Sequence, residues 1–380
     1  MTLFALTYLA IYGGMTFYVL QRLWRGLGGP ARIWLPLGGL ALLLMLVPIL
    51  LHRLEGRLGE TSARLVAGVG WTWLALVFWA CMAFLATELW NVGAAVVAHA
   101  RGSLPSAVLW PRGAALAVLV LLPLLCAWGW VEAGLVGLRT VVVESDRLPP
   151  AMRPLRLLQV SDMHLGRTSR PAVWRRVLAA IRAAEPDVLV STGDFVDASD
   201  RFVDPWVREL NSIQPPLGKY AVLGNHEFYP GVRRTMHFLT AGGFTILRGE
   251  AIGLGPDVRL VGVDDPTARQ MGGVMGLDEA DLLAPRSRAP FTILLKHRPA
   301  VSAAARQGSD LQLSGHTHGG QIFPFGLFVR LLHPYRHAAL IPFPEGLRLY
   351  VSRGTGTWGP PFRFLAPPEV TLFILRPPRP

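Results

Sequence analysis

The sequence reads as an α-helical transmembrane bundle followed by an α/β domain, and three observations point there. Of its 380 residues 51% are hydrophobic and only 16% charged, and the apolar excess lies almost wholly before residue 139. That part contains four apolar stretches, each near the ~20 residues that cross a bilayer. Beyond residue 154 the texture changes to short apolar runs alternating with an amphipathic helical pattern, and run after run ends on Asp, Asn or His.

The four stretches run from Leu3 to Leu20, Trp34 to Leu51, Leu65 to Leu89 and Ala114 to Leu138. Trp24, Trp34, Trp90, Trp110 and Trp130 stand near their ends, where amphipathic rings settle at the headgroup level. The first stretch lacks the basic start and small-residue cleavage site of a signal peptide, so it is read as a retained span. Seven arginines (53, 57, 64, 139, 147, 153 and 156) fall on the side that carries both termini, against five (22, 25, 32, 101 and 112) on the other. That asymmetry places the C-terminal domain in the cytoplasm, behind a bacterial inner or plasma membrane. Cys81 and Cys126 lie inside apolar stretches, so neither a disulfide framework nor a thiolate metal site is available. The formal charge of +12 comes from scattered arginines, with only Lys219 and Lys296 as lysines, and nucleic acid is not the expected partner.

The expected organisation is a membrane domain over 1–138, a linker over 139–154 marked by Pro149, Pro150 and Pro154, and a catalytic domain over 155–380. In the last, Leu155 to Val160 is a strand, Ala172 to Ala184 an amphipathic helix ended by Pro186, and Val188 to Ser191 and Lys219 to Leu223 are strands. Alternation of this kind is that of an α/β domain, with ligands expected where the strands end.

Five clusters stand at those ends. Ser161-Asp162-Met163-His164 follows the first strand and, on extended backbone, puts two ligand-type side chains on one face. Thr192-Gly193-Asp194 places a carboxylate able to bridge two cations, and Gly224-Asn225-His226-Glu227 adds an amide oxygen beside an imidazole, an unusual pair for structural zinc. Lys296-His297-Arg298-Pro299 follows the strand Phe291 to Leu295. Gly315-His316-Thr317-His318-Gly319-Gly320-Gln321 sets two imidazoles two residues apart, able to address adjacent cations. Capping or packing explains any one of these; it does not explain five.

In order, these blocks resemble the signature of the calcineurin-like metallophosphoesterases over roughly Leu155 to Thr371, and most closely its membrane-linked branch. The resemblance implies a four-layered α/β/β/α sandwich with two mixed sheets. It implies that Asp162, His164 and His318 hold one metal, that Asn225, His297 and His316 hold the other, that Asp194 bridges both, and that His226 is a non-ligand serving the leaving oxygen. Two divalent ions then activate a shared water and clamp the phosphoryl oxygens. Oxygen and imidazole ligands suit Mn²⁺, iron or Zn²⁺, with manganese expected in a cytoplasmic domain.

Some members of that branch act on phospholipid-related or nucleotide-lipid phosphodiesters such as UDP-diacylglucosamine, and the expected substrate here is a phosphodiester or pyrophosphate in a lipid-related or membrane-proximal molecule. Arg167, Arg170, Arg298 and Arg363 are candidate phosphate contacts, Arg167 lying just past the first metal motif, against the plainer reading of solvated arginines, and the acidic pair Asp264 and Asp265 is read as turn chemistry with Pro266. The apolar segment from Phe323 to Tyr335 offers Phe325 and Phe328 as contacts for an acyl chain or the bilayer, against ordinary packing on the second sheet. No obligate protein partner is evident. The competing functions are a soluble-nucleotide phosphoesterase and a non-catalytic membrane sensor or scaffold that keeps the metal fold.

Overall fold

The computed structural model describes residues 2–54, 57–105, 107–197, 200–229, 231–283, 290–335 and 337–378. Two compact units divide the chain: Met1–Trp130 with Gly359–Phe362, and Val131–Trp358 with Arg363–Pro380.

Among the described residues the first unit holds four helices, α1 (Thr2–Leu27), α2 (Ala31–Leu54), α3 (Glu60–Ala100) and α4 (Pro111–Glu132). Among the described residues α2, α3 and α4 are long and apolar enough to cross a membrane. The first apolar stretch, read from sequence as a fourth span, forms α1. Unlike the expected span of Leu65 to Leu89, α3 runs on for 41 residues. At about 1.5 Å per residue it reaches roughly 60 Å, twice the thickness of a hydrocarbon core. A small core of Val19, Ala80, Cys81, Phe84, Ala114 and Val118 ties α1, α3 and α4 together. Arg22 and Glu88 pair at 2.9 Å across α1 and α3. Leu35, Leu65, Leu89, Trp110, Val120 and Leu124 point outward, a surface suited to lipid rather than water.

In the second unit the chain does not pass through a plain linker at 139. Residues Gly137–Glu144 form β1, which pairs in parallel with β12 (Glu369–Arg376). Its faces are mostly exposed and carry Arg139, Thr140 and Glu144, which is why it reads as a linker. Only the stretch after Glu144 matches that expectation.

Among the described residues two six-stranded mixed sheets follow. The first has the order β1, β12, β2 (Leu155–Val160), β3 (Val188–Ser191), β4 (Lys219–Ala221), β5 (Thr245–Ile246). In the second the order is β10 (Leu340–Pro342), β11 (Arg348–Val351), β9 (Leu311–Ser314), β8 (Phe291–Leu295), β7 (Val258–Gly262), β6 (Glu250–Gly253). Leu157, Val190 and Phe373 of the first sheet share one core with Leu260, Ile293, Leu313 and Tyr350 of the second. The alternate residues Val261 and Leu294 turn the other way, onto Leu282, Leu283 and Ala305. Strands buried on both faces need cover on both. Helices α5 (Pro171–Ala184), α6 (Asp200–Asn211) and α7 (Val232–Ala241), and the short α8 (Thr267–Gln270), α9 (Glu279–Leu282), α10 (Ala303–Gly308) and α11 (Phe325–Leu332), complete the unit. The expected α/β/β/α sandwich is what forms.

Because β2, β3 and β4 run parallel, as do β7, β8 and β9, the C-terminal ends within each set point the same way. Every ligand-type cluster of the sequence sits just past one of those ends.

Candidate metal centre

The loops past β2, β3 and β4 are stitched before any ligand is considered. Asp162 N–H donates to the Gly193 carbonyl and His164 N–H to that of Asp194, both at 3.0 Å. One carboxylate oxygen of Asp162 accepts the His316 N–H at 2.9 Å, and Asp194 accepts that of His226 at 2.9 Å. Gly315 is demanded here: a Cβ would collide with Ser161 Oγ and the Asp162 carboxylate.

The backbone that presents these side chains is not the extended one the two-residue spacings suggested. Asp162 (φ 53°), His164 (46°), Asp194 (52°), His316 (71°) and His318 (51°) all occupy the left-handed region. Each costs of order 1–3 kcal/mol for a side chain other than glycine, and such residues gather where the surroundings enforce a functional geometry. The side chains still converge, but through sharp turns rather than a shared strand face.

Two clusters result, adjoining at Asp194, whose Oδ2 lies near rings of both. The ligand atoms of Asp162, His164 and His318 lie within 4.8 Å of one another, as do those of Asp194, His297 and His316. His164 Nε2 stands 3.0 Å from His318 Nε2 and 3.8 Å from Asp194 Oδ2. His297 Nε2 stands 3.1 Å from Asp194 Oδ2 and 3.2 Å from His316 Nδ1. A third grouping within the same 4.8 Å, His164, Asp194 and His226, shares two of these residues.

Chemistry favours cations at these points. His297 Nδ1 lies 2.8 Å from the Thr192 carbonyl and His164 Nδ1 2.8 Å from Asp197, so each ring donates there and turns the lone pair of Nε2 inward. Asn225 Oδ1 is buried and accepts no hydrogen bond. An orphaned amide oxygen costs about 1–3 kcal/mol unless something positive meets it. Nitrogen and oxygen donors, without thiolate, fit two divalent ions.

Electrostatics tell the same story. Burial works against a charged His297, yet the Asp194 carboxylate beside it prevails and raises its pKa to about 10. Burial, reinforced by the neighbouring His297, pushes His316 down to about 3. Burial and Asp194 lift Glu227 to about 7, although its carboxylate accepts the N–H groups of Asp194, Phe195, Val196 and Gly224. Carboxylates and imidazoles this crowded are charges waiting for a counter-charge.

Asp197 escaped the sequence reading. Burial alone would raise its pKa, but the imidazoles of His164 and His226 hold it far below the usual carboxylate range. It takes Nδ1 of both rings at 2.8 Å. Against burial, Asp197 and Asp194 raise His226 to about 9. The one available signal was an acid three residues past Asp194. Glu227, which clamps the β3 and β4 loops, stood in a quoted motif without a role.

The candidate substrate contacts lie outside the ligand groupings. Arg167 is half-buried on the loop after His164. Arg298 is tied to Asp265 at 2.7 Å and to Thr267, and Asp264 pairs with Arg248, so that acidic pair anchors arginines as well as a turn. Arg363, weighed as a phosphate contact, is wholly buried and donates to the carbonyls of Arg353, Gly356 and Ala366. Phe325 and Phe328 lie on α11, which buries none of its residues. Gly320, in the His316 turn, packs so closely on Gly326 of α11 that a Cβ would strike it, and His333, which ends α11, sets its ring 5.6 Å from that of His316.

Fold and site together define a dinuclear metal-dependent phosphoesterase. Residues 155–320 match the family model described as calcineurin-like phosphoesterase. The chain is 36% identical to an uncharacterized metallophosphoesterase of Aquifex aeolicus, over 67% of this chain and 97% of that protein. It is 35% identical to the bovine transmembrane protein with metallophosphoesterase domain, over 62% of this chain and 56% of that one. To the UDP-2,3-diacylglucosamine pyrophosphatase LpxG of Chlamydia trachomatis it is 27% identical, over 57% and 82%. The chain therefore belongs to the calcineurin-like metallophosphoesterases: it is a membrane-associated hydrolase of phosphoesters that uses two divalent metal ions.

Proposed function

We propose that Asp162, His164 and His318 hold one metal, that Asn225, His297 and His316 hold the other, that Asp194 bridges them, and that the substrate is a phosphodiester or pyrophosphate of a lipid-related molecule. The orphaned Oδ1 of Asn225 supports the ligand assignment most directly, since a cation would satisfy a buried acceptor that meets no donor. When bound, the two ions activate water and neutralise charge on the phosphoryl oxygens. Manganese is the metal we expect.

The chain's own residues supply the rest. Asp197 holds His226 by Nδ1, so the proton His226 can deliver to a departing oxygen sits on Nε2. Asp197 performs the same orientation for His164. Glu227 keeps the β3 and β4 loops in register through four backbone amides.

The lipid reading is supported by the apolar helices, by α11, and by the 27% identity to a lipid-related pyrophosphatase. Phe325 and Phe328, 45% and 49% exposed, stand on a helix joined to the His316 turn, placed to take an acyl chain or the bilayer face, while Arg167 takes a phosphate. The arginine asymmetry supports a cytoplasmic catalytic unit at a bacterial inner membrane.

Asp194→Asn tests the centre. It should abolish turnover of an aryl phosphodiester with Mn²⁺ and reduce metal content at both positions, because one carboxylate serves two cations. Full metal content with retained turnover would remove the dinuclear assignment.

A further inference from the structure

His226 has two ring neighbours that no step above uses. Tyr229 meets it edge to face at 5.3 Å and Trp358 at 5.8 Å. Both stay about half exposed, at 54% and 47%. Single exposed aromatics are ordinary on a protein surface. Two packed on one imidazole beside a metal centre are a different matter.

Trp358 is held there by construction. Gln321 Oε1 accepts the Trp358 N–H at 2.8 Å and Gln321 Nε2 donates to the Trp358 carbonyl at 3.0 Å. Gln321 itself sits at φ 53° and accepts the Phe364 N–H at 2.9 Å through its own carbonyl. A left-handed glutamine persists only where its surroundings enforce it. The turn that carries His316 and His318 thus fixes the backbone of a tryptophan 37 residues further on. Tyr229 is placed from the other side, following Asn225 by one turn, with the Asn225 amide donating to its hydroxyl at 3.4 Å.

With Nδ1 of His226 taken by Asp197, Nε2 faces the departing oxygen, and whatever that oxygen carries lies beside the residues packed on His226. We propose that Tyr229 and Trp358 form the leaving-group subsite, and that they take a flat ring, aryl or nucleobase, on the departing alcohol. An aliphatic tail gains from continuous apolar cover such as α11 presents. A ring gains from aromatic faces and from polar atoms at their edges, which Tyr229 Oη and Trp358 Nε1 provide. This rests on the proposed proton delivery by His226.

The test uses the full-length protein loaded with Mn²⁺ and two methyl phosphodiesters whose leaving alcohols have matched acidity, phenol and hexafluoroisopropanol. Trp358→Leu and Tyr229→Leu should each lower the aryl-to-alkyl ratio of kcat/KM about tenfold, mostly through KM. Trp358→Phe, which keeps a flat ring, should hold the ratio within about threefold of wild type, and Gln321→Met should lower it with both rings intact. A second pair, a nucleoside 5′-methyl phosphodiester and its counterpart lacking the base, separates the two ring classes: the base should be preferred only if the ring is a nucleobase. A ratio unmoved by both leucine variants, or an equal fall on both diesters, overturns the subsite while leaving the phosphoesterase reading intact. Failure of the wild type to hydrolyse either diester removes both.

Discussion

Replacing Asp197 by Asn keeps the size of the side chain and removes its charge, which separates orientation from packing. The carboxylate meets Nδ1 of His164 and of His226 at 2.8 Å, so one substitution weakens a metal-facing imidazole and the proposed proton donor together. Hydrogen bonds to charged groups contribute about 1.5–3 kcal/mol, or roughly 10–150-fold in rate at about 1.4 kcal/mol per tenfold. A quarter of the Asp197 side chain remains exposed, so screening by water places the expected loss of kcat in the lower part of that range. Metal affinity should fall roughly 10–100-fold, as for other lost partners of metal-bound imidazoles. The pH profile is the sharper readout. Asp197 and Asp194 overcome burial to raise His226 to about 9. Its proton is therefore present below that pH and lost above it, and without the Asp197 charge the loss comes earlier. The alkaline limb of kcat should move down by roughly 1–2 pH units. Bound cations lower the limb in both proteins and leave the direction of the difference unchanged. Steady-state kinetics at saturating Mn²⁺ from pH 6 to 10 on the order of half-unit steps would measure it. An unmoved limb with kcat within about twofold of wild type would refute the orienting role.

Two further outcomes follow from the same geometry. Metal-free His297 keeps its proton up to about 10, so loading at neutral pH must displace it. About one proton should be released to buffer and apparent affinity should rise with pH; titration calorimetry in two buffers of different ionisation enthalpy measures this, and identical heats would contradict the ligand set. Changing Phe325, Leu327 and Phe328 to serine removes apolar burial of about 1.5–3 kcal/mol per side chain from a substrate with a tail only. Turnover of a lipid phosphodiester should drop relative to a tail-free one, and a parallel fall in both would show α11 to be structural.

The membrane helices and the doubly buried strands were readable because each leaves a long or dense apolar signal: Leu157, Leu189, Ile293 and Leu294 have no solvent face to satisfy. β1 was hidden, since an edge strand with mostly exposed faces offers neither alternation nor density. The seven ligand-type residues stood out in the sequence because they occupy short blocks at strand ends. Their turns were misjudged: spacing of two suggests a strand face, whereas the left-handed backbone at Asp162 and His316 is a tertiary demand with no local mark. Asp197 carries little more than its place just past Asp194, its imidazole partners being 33 and 29 residues away. Arg363 shows the opposite failure, a guanidinium whose charge suggested a phosphate and whose place is among carbonyls. A fragment cut at Val141, sensible from sequence, would split β1.

The position of β12 bears on how this protein is made. In the first sheet it lies between β1 and β2, parallel to one and antiparallel to the other. During translation the hydrophobic helices and β1 to β11 all leave the ribosome before residues 369–376 are available. Until then β1 has no neighbour and β2 exposes a bare edge carrying Leu155 and Leu157. Unpaired strand edges of that composition are where nascent chains stick to one another. The first sheet thus waits for residues 369–376, and a ribosome stalled short of Glu369 would hold an anchored chain that cannot close it.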